Sequence, residues 1–213
     1  MTQIFFPAQK KYLNSFKRND NKLLREMEEY AAENNVPILD WHAAEFMEKL
    51  IKIHRPERVL EIGTAIAYTT IRIADCLSKK SVIHSIEKSE DNIKKAEEYI
   101  EKSGLSKKIK LIKGDALKVM LQLEKKYDFI FLDADKEDYK RLFDYSMILL
   151  RKGGIIVIDN LLWHGFTASA RVPSKYTKST KNIRDFNKLF ILQQNLDSMI
   201  IPIGDGLGLG IKK

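Results

Sequence analysis

Apolar and polar positions follow one rhythm before Arg58 and another after it. In the first part, NDNKLLREMEEYAAENN places Leu23, Leu24, Met27, Tyr30 and Ala31 on one helical stripe, with Asp20 as the expected N-cap. Val36-Pro37 ends that helix, and a second is expected from about Asp40 to Ile53, before His54-Arg55-Pro56 turns the chain. Beyond Arg58, the apolar runs RVLEIG, SVIHSIE, IKLIKGD, YDFIFLD and GGIIVIDN alternate with segments of helical spacing such as SEDNIKKAEEYIEKSG. Strands joined by helices predict an α/β fold, a parallel sheet covered on both faces. Gly104 is the expected cap of the helix ending EYIEKS, and Lys152-Gly153-Gly154 the expected turn into the fifth strand. The end of the chain, SMIIPIGDGLGLGIKK, carries two short apolar runs around Gly204-Asp205-Gly206 with no helix between them, which predicts a hairpin.

Composition changes this picture little. A chain of 213 residues suits one domain, 1–213, whose first 55 or so residues form an N-terminal helical segment. Hydrophobic residues at 44% and charged residues at 31% fit a soluble globular protein. The one cysteine, Cys76, sits in an apolar helical stretch and reads as a small core residue in a reducing compartment. No run approaches the roughly 18 apolar residues of a membrane span, and MTQIFFPAQKKYLNSFKR lacks the layout of a signal peptide. A cytoplasmic protein with no membrane partner is therefore expected. A net charge of +8 is compatible with an anionic partner such as RNA.

The candidate chemistry lies where strands stop. FIFLDADKEDY runs from a buried-strand pattern straight into Asp133, Asp135, Lys136, Glu137 and Asp138, and IIVIDN ends the same way at Asp159 and Asn160. Open α/β sheets bind ligands beyond the carboxyl ends of their strands. Glu61-Ile62-Gly63, Glu87 and Gly114-Asp115-Ala116 close the first three strands. Glu87, about 20 residues past the first turn, suits a carboxylate that accepts from both ribose hydroxyls of a nucleoside cofactor. The loop EIGTAIAYTT lacks the later glycines of the dinucleotide fingerprint, which argues against a nicotinamide or flavin enzyme. Asp133, Asp159 and Asn160 offer two carboxylates and an amide oxygen, hard donors suited to Mg²⁺ or Mn²⁺. An aspartate at a strand end is also often a simple turn or cap residue.

VLEIGTAIAYTT, HSIEKSE, GDA, FIFLDADK, IIVIDNLLWHG and PIGDGL together resemble the metal- and S-adenosylmethionine-dependent O-methyltransferases, the class of catechol and caffeoyl-CoA O-methyltransferases. The likeness runs from about Val36 to Lys213. VPIL, GTAIAYTTIRIA and IIPIGDGLGLGIKK look most like the bacterial tRNA 5-hydroxyuridine methyltransferases. This resemblance implies a Rossmann-like class I methyltransferase, with a seven-stranded, mostly parallel sheet whose last strand is antiparallel. It implies that Glu61 and Gly63 line the methionine and ribose end of S-adenosylmethionine, and that Thr69 donates to its carboxylate. Glu87 would hold the ribose, Asp115 and Ala116 flank the adenine, and Leu39 pack from the N-terminal side. Asp133, Asp159 and Asn160 would be the ligands of Mg²⁺ (or Mn²⁺), with Asp133 also touching the cofactor, and Lys136 the catalytic base. A surface lysine is usually solvated, but one beside a divalent cation can shed its proton. A homodimer is also implied.

Two departures from the family pattern stand out. Ala67 replaces a usual glycine, which costs little unless the backbone needs positive φ, and Trp41-His42-Ala43 follows VPIL as packing or as part of a substrate wall. The segment Leu161 to Asn182 carries Arg171, Lys175, Lys178 and Lys181 with no acidic residue, a phosphate-contacting rim or a solvated loop. Trp163 or Phe166 could stack on a ring or anchor a lid. The leading expectation is methylation of 5-hydroxyuridine in tRNA to 5-methoxyuridine. The alternatives are a catechol-type enzyme acting on small vicinal diols and a non-catalytic RNA-binding module.

Overall fold

The computed structural model describes residues 6–17 and 21–213. Three helices precede the sheet: α1 (Pro7–Asn14), α2 (Lys22–Glu33) and α3 (Trp41–His54). Asp20 lies outside the described residues, and Asn21 caps α2, its side-chain oxygen accepting from the backbone N–H of Leu23 and Leu24 at 3.0 and 3.2 Å. Asp40 caps α3 in the same way through the N–H of His42 at 3.0 Å.

The alternation then follows as expected: β1 (Arg58–Ile62), α4 (Tyr68–Cys76), β2 (Val82–Glu87), α5 (Glu90–Ser103), β3 (Ile109–Lys113), α6 (Ala116–Val119), β4 (Tyr127–Leu132), α7 (Tyr139–Leu149) and β5 (Leu150–Ile158). After two 3-10 turns come α8 (Thr177–Ile191) and the hairpin β6 (Leu196–Ile201) and β7 (Leu207–Lys212). The seven strands are ordered β3-β2-β1-β4-β5-β7-β6, and β7 alone runs against its neighbours β5 and β6. Gly104 ends α5 in the left-handed conformation, φ 70.

Period-two alternation assigns each strand residue to a face. Val59, Phe129, Phe131, Ile155 and Val157 pack under α2 to α5, while Leu60, Ile62, Ile130, Leu132, Ile156 and Ile158 pack under α6 to α8. Both faces are covered, so residues 129–132 of β4 and 155–158 of β5 are apolar on both sides and their first polar residues come just past the strand ends, while β1 and β2 bury Glu61 and Ser85 inside the sheet. One boundary differs from the sequence expectation. The triplet Lys152-Gly153-Gly154 lies inside β5, where the pairing register with β4 shifts between Tyr127 and Phe129 and Gly153 has φ 74. The glycines there form an irregularity within one strand. No described helix is long and apolar enough to cross a membrane.

Candidate active site

Strand order reverses between β1 and β4, and the polar strand ends converge there. The pairing of Leu132 with Ile158 makes Asp133 and Asp159 the next residues along adjacent strands. The ladder continues through them, Asp133 N–H donating to the Ile62 carbonyl at 2.9 Å and Asp159 N–H to the Leu132 carbonyl at 3.0 Å. Both carboxylates thus leave the sheet at one edge, on strands about 4.8 Å apart. Asp159 is buried; desolvation first, and then the Asp133 charge, raise its carboxyl well above the usual range. Asn160 follows in the left-handed conformation, φ 62, which asparagine tolerates better than most side chains. Its amide donates to Asp205 Oδ2 at 3.3 Å.

Lys136 closes this cluster. Its Nζ donates to Asp133 Oδ1 at 3.1 Å, to the Ala134 carbonyl at 3.1 Å and to the Tyr139 hydroxyl at 2.7 Å. The Tyr139 hydroxyl in turn donates to the Asp159 backbone carbonyl at 2.9 Å. The lysine therefore touches the end of β4 directly and reaches the end of β5 through Tyr139. Of the neighbouring acids, Asp135 pairs with Lys88 at 2.5 Å in the open, and Asp138 lies 3.9 Å from Arg141.

The other half of the site is a loop over β1 and β2. Gly63 has φ 101, and the N–H groups of Gly63 and Thr64 donate to the Ile86 carbonyl at 3.0 and 3.2 Å. Glu87 takes three backbone donors, Ala65 N–H at 2.8 Å, Lys88 N–H at 2.9 Å and Ser89 N–H at 2.8 Å. A carboxylate has roughly four acceptor sites, so Glu87 is held rigidly with capacity left for a ligand hydroxyl. Ala65 and Ala67 both take positive φ, 47 and 69. The condition under which an alanine is costly therefore applies at Ala67, at roughly 1–2 kcal/mol relative to glycine. Thr69, nearly buried, is the second residue of α4. Asp115 caps α6 through Leu117 N–H at 2.8 Å, leaving Ala116 half-buried at its start. Leu39 is buried in the core cluster beneath α2 to α5.

Glu61 is fully buried. One carboxyl oxygen accepts from the hydroxyls of Thr70 and Ser85, while Oε1 has no partner. Desolvation pushes its carboxyl up to about 8, against the lowering effect of the two hydroxyls, and the charges of Asp133 and Glu87 add to the rise. The unfolded chain ionises near 4.5 while the folded protein keeps the proton to about 8, so this group's contribution to stability is full below the first value and is lost as pH rises to the second. Glu61→Gln, which cannot ionise, should flatten the pH dependence of cofactor-free stability in urea titrations; an unchanged slope across that window would refute the assignment.

A wall of aromatic rings stands over Lys136. Its Nζ lies 5.7 Å from the Trp163 ring centre, and Trp163, His164, Phe166 and Tyr176 contact one another at centroid distances of 5.0 to 6.1 Å. Lys178 of the basic rim pairs with Glu137 at 2.8 Å, and Lys175 lies 4.7 Å over the Tyr176 ring. Trp41 and His42 stack at 3.6 Å elsewhere, on a cleft of about 390 Å³ between α1 and α3, which none of the strand-end residues lines.

Asp205 is the site residue that sequence reasoning passed over. It accepts from Asn160 and, at 2.6 Å, from the N–H of His164. A Gly-Asp-Gly turn explains itself locally, so only long-range pairing of β7 with β5 reveals its place. Among the described residues no group of three or more His, Cys, Asp or Glu side chains could hold a metal ion. The predicted trio contains two such residues, both aspartates, and an asparagine.

A seven-stranded sheet of this order, with an acidic residue closing β2 and a glycine turn after β1, defines the Rossmann-like class of S-adenosylmethionine-dependent methyltransferases. The O-methyltransferase family model matches residues 14–213, and the chain belongs to that family. It is 33% identical over 203 residues to a caffeoyl-CoA O-methyltransferase of Eucalyptus globulus, covering 87% of this chain and 80% of the relative. It superposes with a TM-score of 0.90 on a Staphylococcus aureus crystal structure, 30% identical, covering 97% of this chain and 100% of the other. An O-methyltransferase of Bacillus cereus in complex with S-adenosylhomocysteine gives 0.84 at 26% identity, covering 97% of each. The protein is an S-adenosylmethionine-dependent O-methyltransferase.

Proposed function

We propose that the chain methylates the 5-hydroxyl of 5-hydroxyuridine in tRNA, giving 5-methoxyuridine, with a divalent metal held by Asp133, Asp159 and Asn160. The observation that carries the metal is the meeting of Asp133 and the buried Asp159 at adjacent strand ends, with Asp205 behind them and Lys136 as the neighbouring cation. Such an excess of oxygen donors and negative charge fits Mg²⁺ or Mn²⁺. When bound, the ion would supply charge that favours the acceptor as its oxyanion. Lys136, an ammonium with three donated bonds as it stands, would take the acceptor's proton from its neutral form, which a divalent cation beside Asp133 would favour, and the aromatic wall would set the plane of the acceptor's ring. Glu61, Gly63, Thr69 and Glu87 orient the methyl donor from the loop side, with Asp115, Ala116 and Leu39 around its adenine. In 5-hydroxyuridine the hydroxyl and the O4 carbonyl are neighbours, as two oxygens are in a catechol, so one chelating site serves either ring.

The tRNA reading is supported by the likeness of VPIL, GTAIAYTTIRIA and IIPIGDGLGLGIKK to the tRNA enzymes, by the net charge of +8 and by the exposed Arg171, Lys175 and Lys181 beside the aromatic wall. A homodimer belongs to this reading. The second reading, a small vicinal diol, is favoured by the caffeoyl-CoA relatives. Methyl transfer is to be measured side by side on tRNA from a strain deleted for this gene and on a simple catechol, with and without chelator. The expected result is metal-dependent methylation of the tRNA and loss of 5-methoxyuridine in the deletion strain. Turnover of the catechol alone would replace the first reading with the second.

A further inference from the structure

We propose that Arg184, on α8, is the positioning residue for the acceptor, fixing the wall of Trp163, His164, Phe166 and Tyr176 beside Lys136. The segment from Leu161 to Ser169 has no strand or α-helix of its own. Its backbone runs through three consecutive left-handed residues, Trp163, His164 and Gly165, with φ of 47, 55 and 79. Such a path persists only where its surroundings impose it. The front of the segment is tied to the β6–β7 turn: Leu161 N–H donates to the Gly206 carbonyl at 2.9 Å, Leu162 N–H to the Asp205 carbonyl at 2.8 Å, and His164 N–H to the Asp205 side chain.

The rear is held differently. Arg184 Nε donates to the Thr167 carbonyl at 3.0 Å, and Nη2 donates to the Phe166 carbonyl at 2.9 Å and to the Ser169 carbonyl at 2.5 Å. Among the described residues, the other hydrogen bonds of residues 166–169 stay within the segment or its immediate neighbours. Two further α8 side chains complete the seating, Ser179 Oγ accepting from Trp163 Nε1 at 3.1 Å and Asn187 donating to the Leu161 carbonyl at 2.7 Å.

Charge-assisted bonds from one planar guanidinium to three carbonyls set position as well as strength, and an ammonium cannot span the same three points. Arg184 is exposed and forms no ion pair among the described residues, so its three carbonyls are what its charge serves. The inference rests on Lys136 marking the acceptor's side of the site, as in the proposed function, and holds for tRNA or catechol alike.

Two measurements test it. With whichever of tRNA and catechol the wild type methylates, Arg184→Ala should raise the acceptor KM about tenfold while kcat and the S-adenosylhomocysteine dissociation constant stay within about twofold. Arg184→Lys should fall between, and millimolar guanidinium should restore part of the loss in the alanine variant. The chain has two tryptophans, so in a Trp41→Phe background Trp163 is the reporter; Arg184→Ala should shift its emission to the red and expose it to iodide. Unchanged Trp163 emission, or a parallel loss of cofactor and acceptor affinity, would overturn the proposal. If the wild type methylates neither acceptor, the functional reading fails, and the fluorescence alone decides the clamp.

Discussion

Asp133→Asn is expected to leave a folded protein that binds S-adenosylhomocysteine but turns over about 10²–10³ times more slowly, the usual scale for removing one preorganised electrostatic group from a reacting centre. Asparagine keeps the volume and one oxygen at the end of β4, so the backbone bond from Asp133 N–H to Ile62 has no reason to break. What disappears is one of the two facing charges. That charge pairs with Lys136 Nζ at 3.1 Å and is the second-largest influence on Asp159 after burial. A cation at this edge would lose a carboxylate ligand, so Mn²⁺ affinity, followed by its paramagnetic signal, should fall together with kcat. Asp138→Asn is the control, because Asp138 lies 3.9 Å from Arg141 on the helix surface and touches neither strand end. A fully active Asp133→Asn enzyme would remove the proposed metal site, whereas lost activity with undiminished Mn²⁺ binding would return Asp133 to the cofactor alone.

The sheet and its polar edge were readable because burial on both faces leaves a parallel strand few choices. FIFL and IIVI must be apolar throughout, so Asp133 and Asp159 announce the strand ends by contrast, and the strand order then makes them neighbours. Glu87 ends β2 and Asp115 follows β3 in the same way, whereas Glu61 lies inside β1, paired with Ser85 and Phe131, where a strand-end argument does not reach. Asp205 was equally out of reach, because its role depends on β7 pairing antiparallel to β5, a contact between chain segments separated by α8. Arg184 was invisible for another reason: an arginine on the outer face of an amphipathic helix looks solvated, and nothing local says that its fork meets three carbonyls. The positive φ at Ala65 and Ala67 gives no sign in the sequence either, because alanine is not a residue that marks left-handed turns. Long-range pairing and backbone handedness are thus what the pattern of apolar positions leaves open.

Gly63→Ala should be the most damaging single-methyl change in the chain. A Cβ at Gly63 would stand 1.8 Å from the Asp133 carbonyl oxygen and 2.9 Å from its carbon, both backbone atoms just past the end of β4, and φ is +101. No side chain can move aside, so the ends of β1 and β4 must separate beside Asp133, where the methyl donor is proposed to bind. Overpacking against backbone and a φ that alanine resists together cost on the order of 3–5 kcal/mol. For a chain of this size that is a fall in Tm of roughly 10–15 °C, with S-adenosylhomocysteine binding lost in whatever remains folded. Gly104→Ala separates the two causes: its φ is +70 but nothing lies within 4 Å of the added methyl. Only the backbone penalty applies there, about 1 kcal/mol, with cofactor affinity unchanged. Equal losses in the two variants would mean that conformational strain alone fixes Gly63, and that the close approach of β1 to the Asp133 carbonyl does not shape the site.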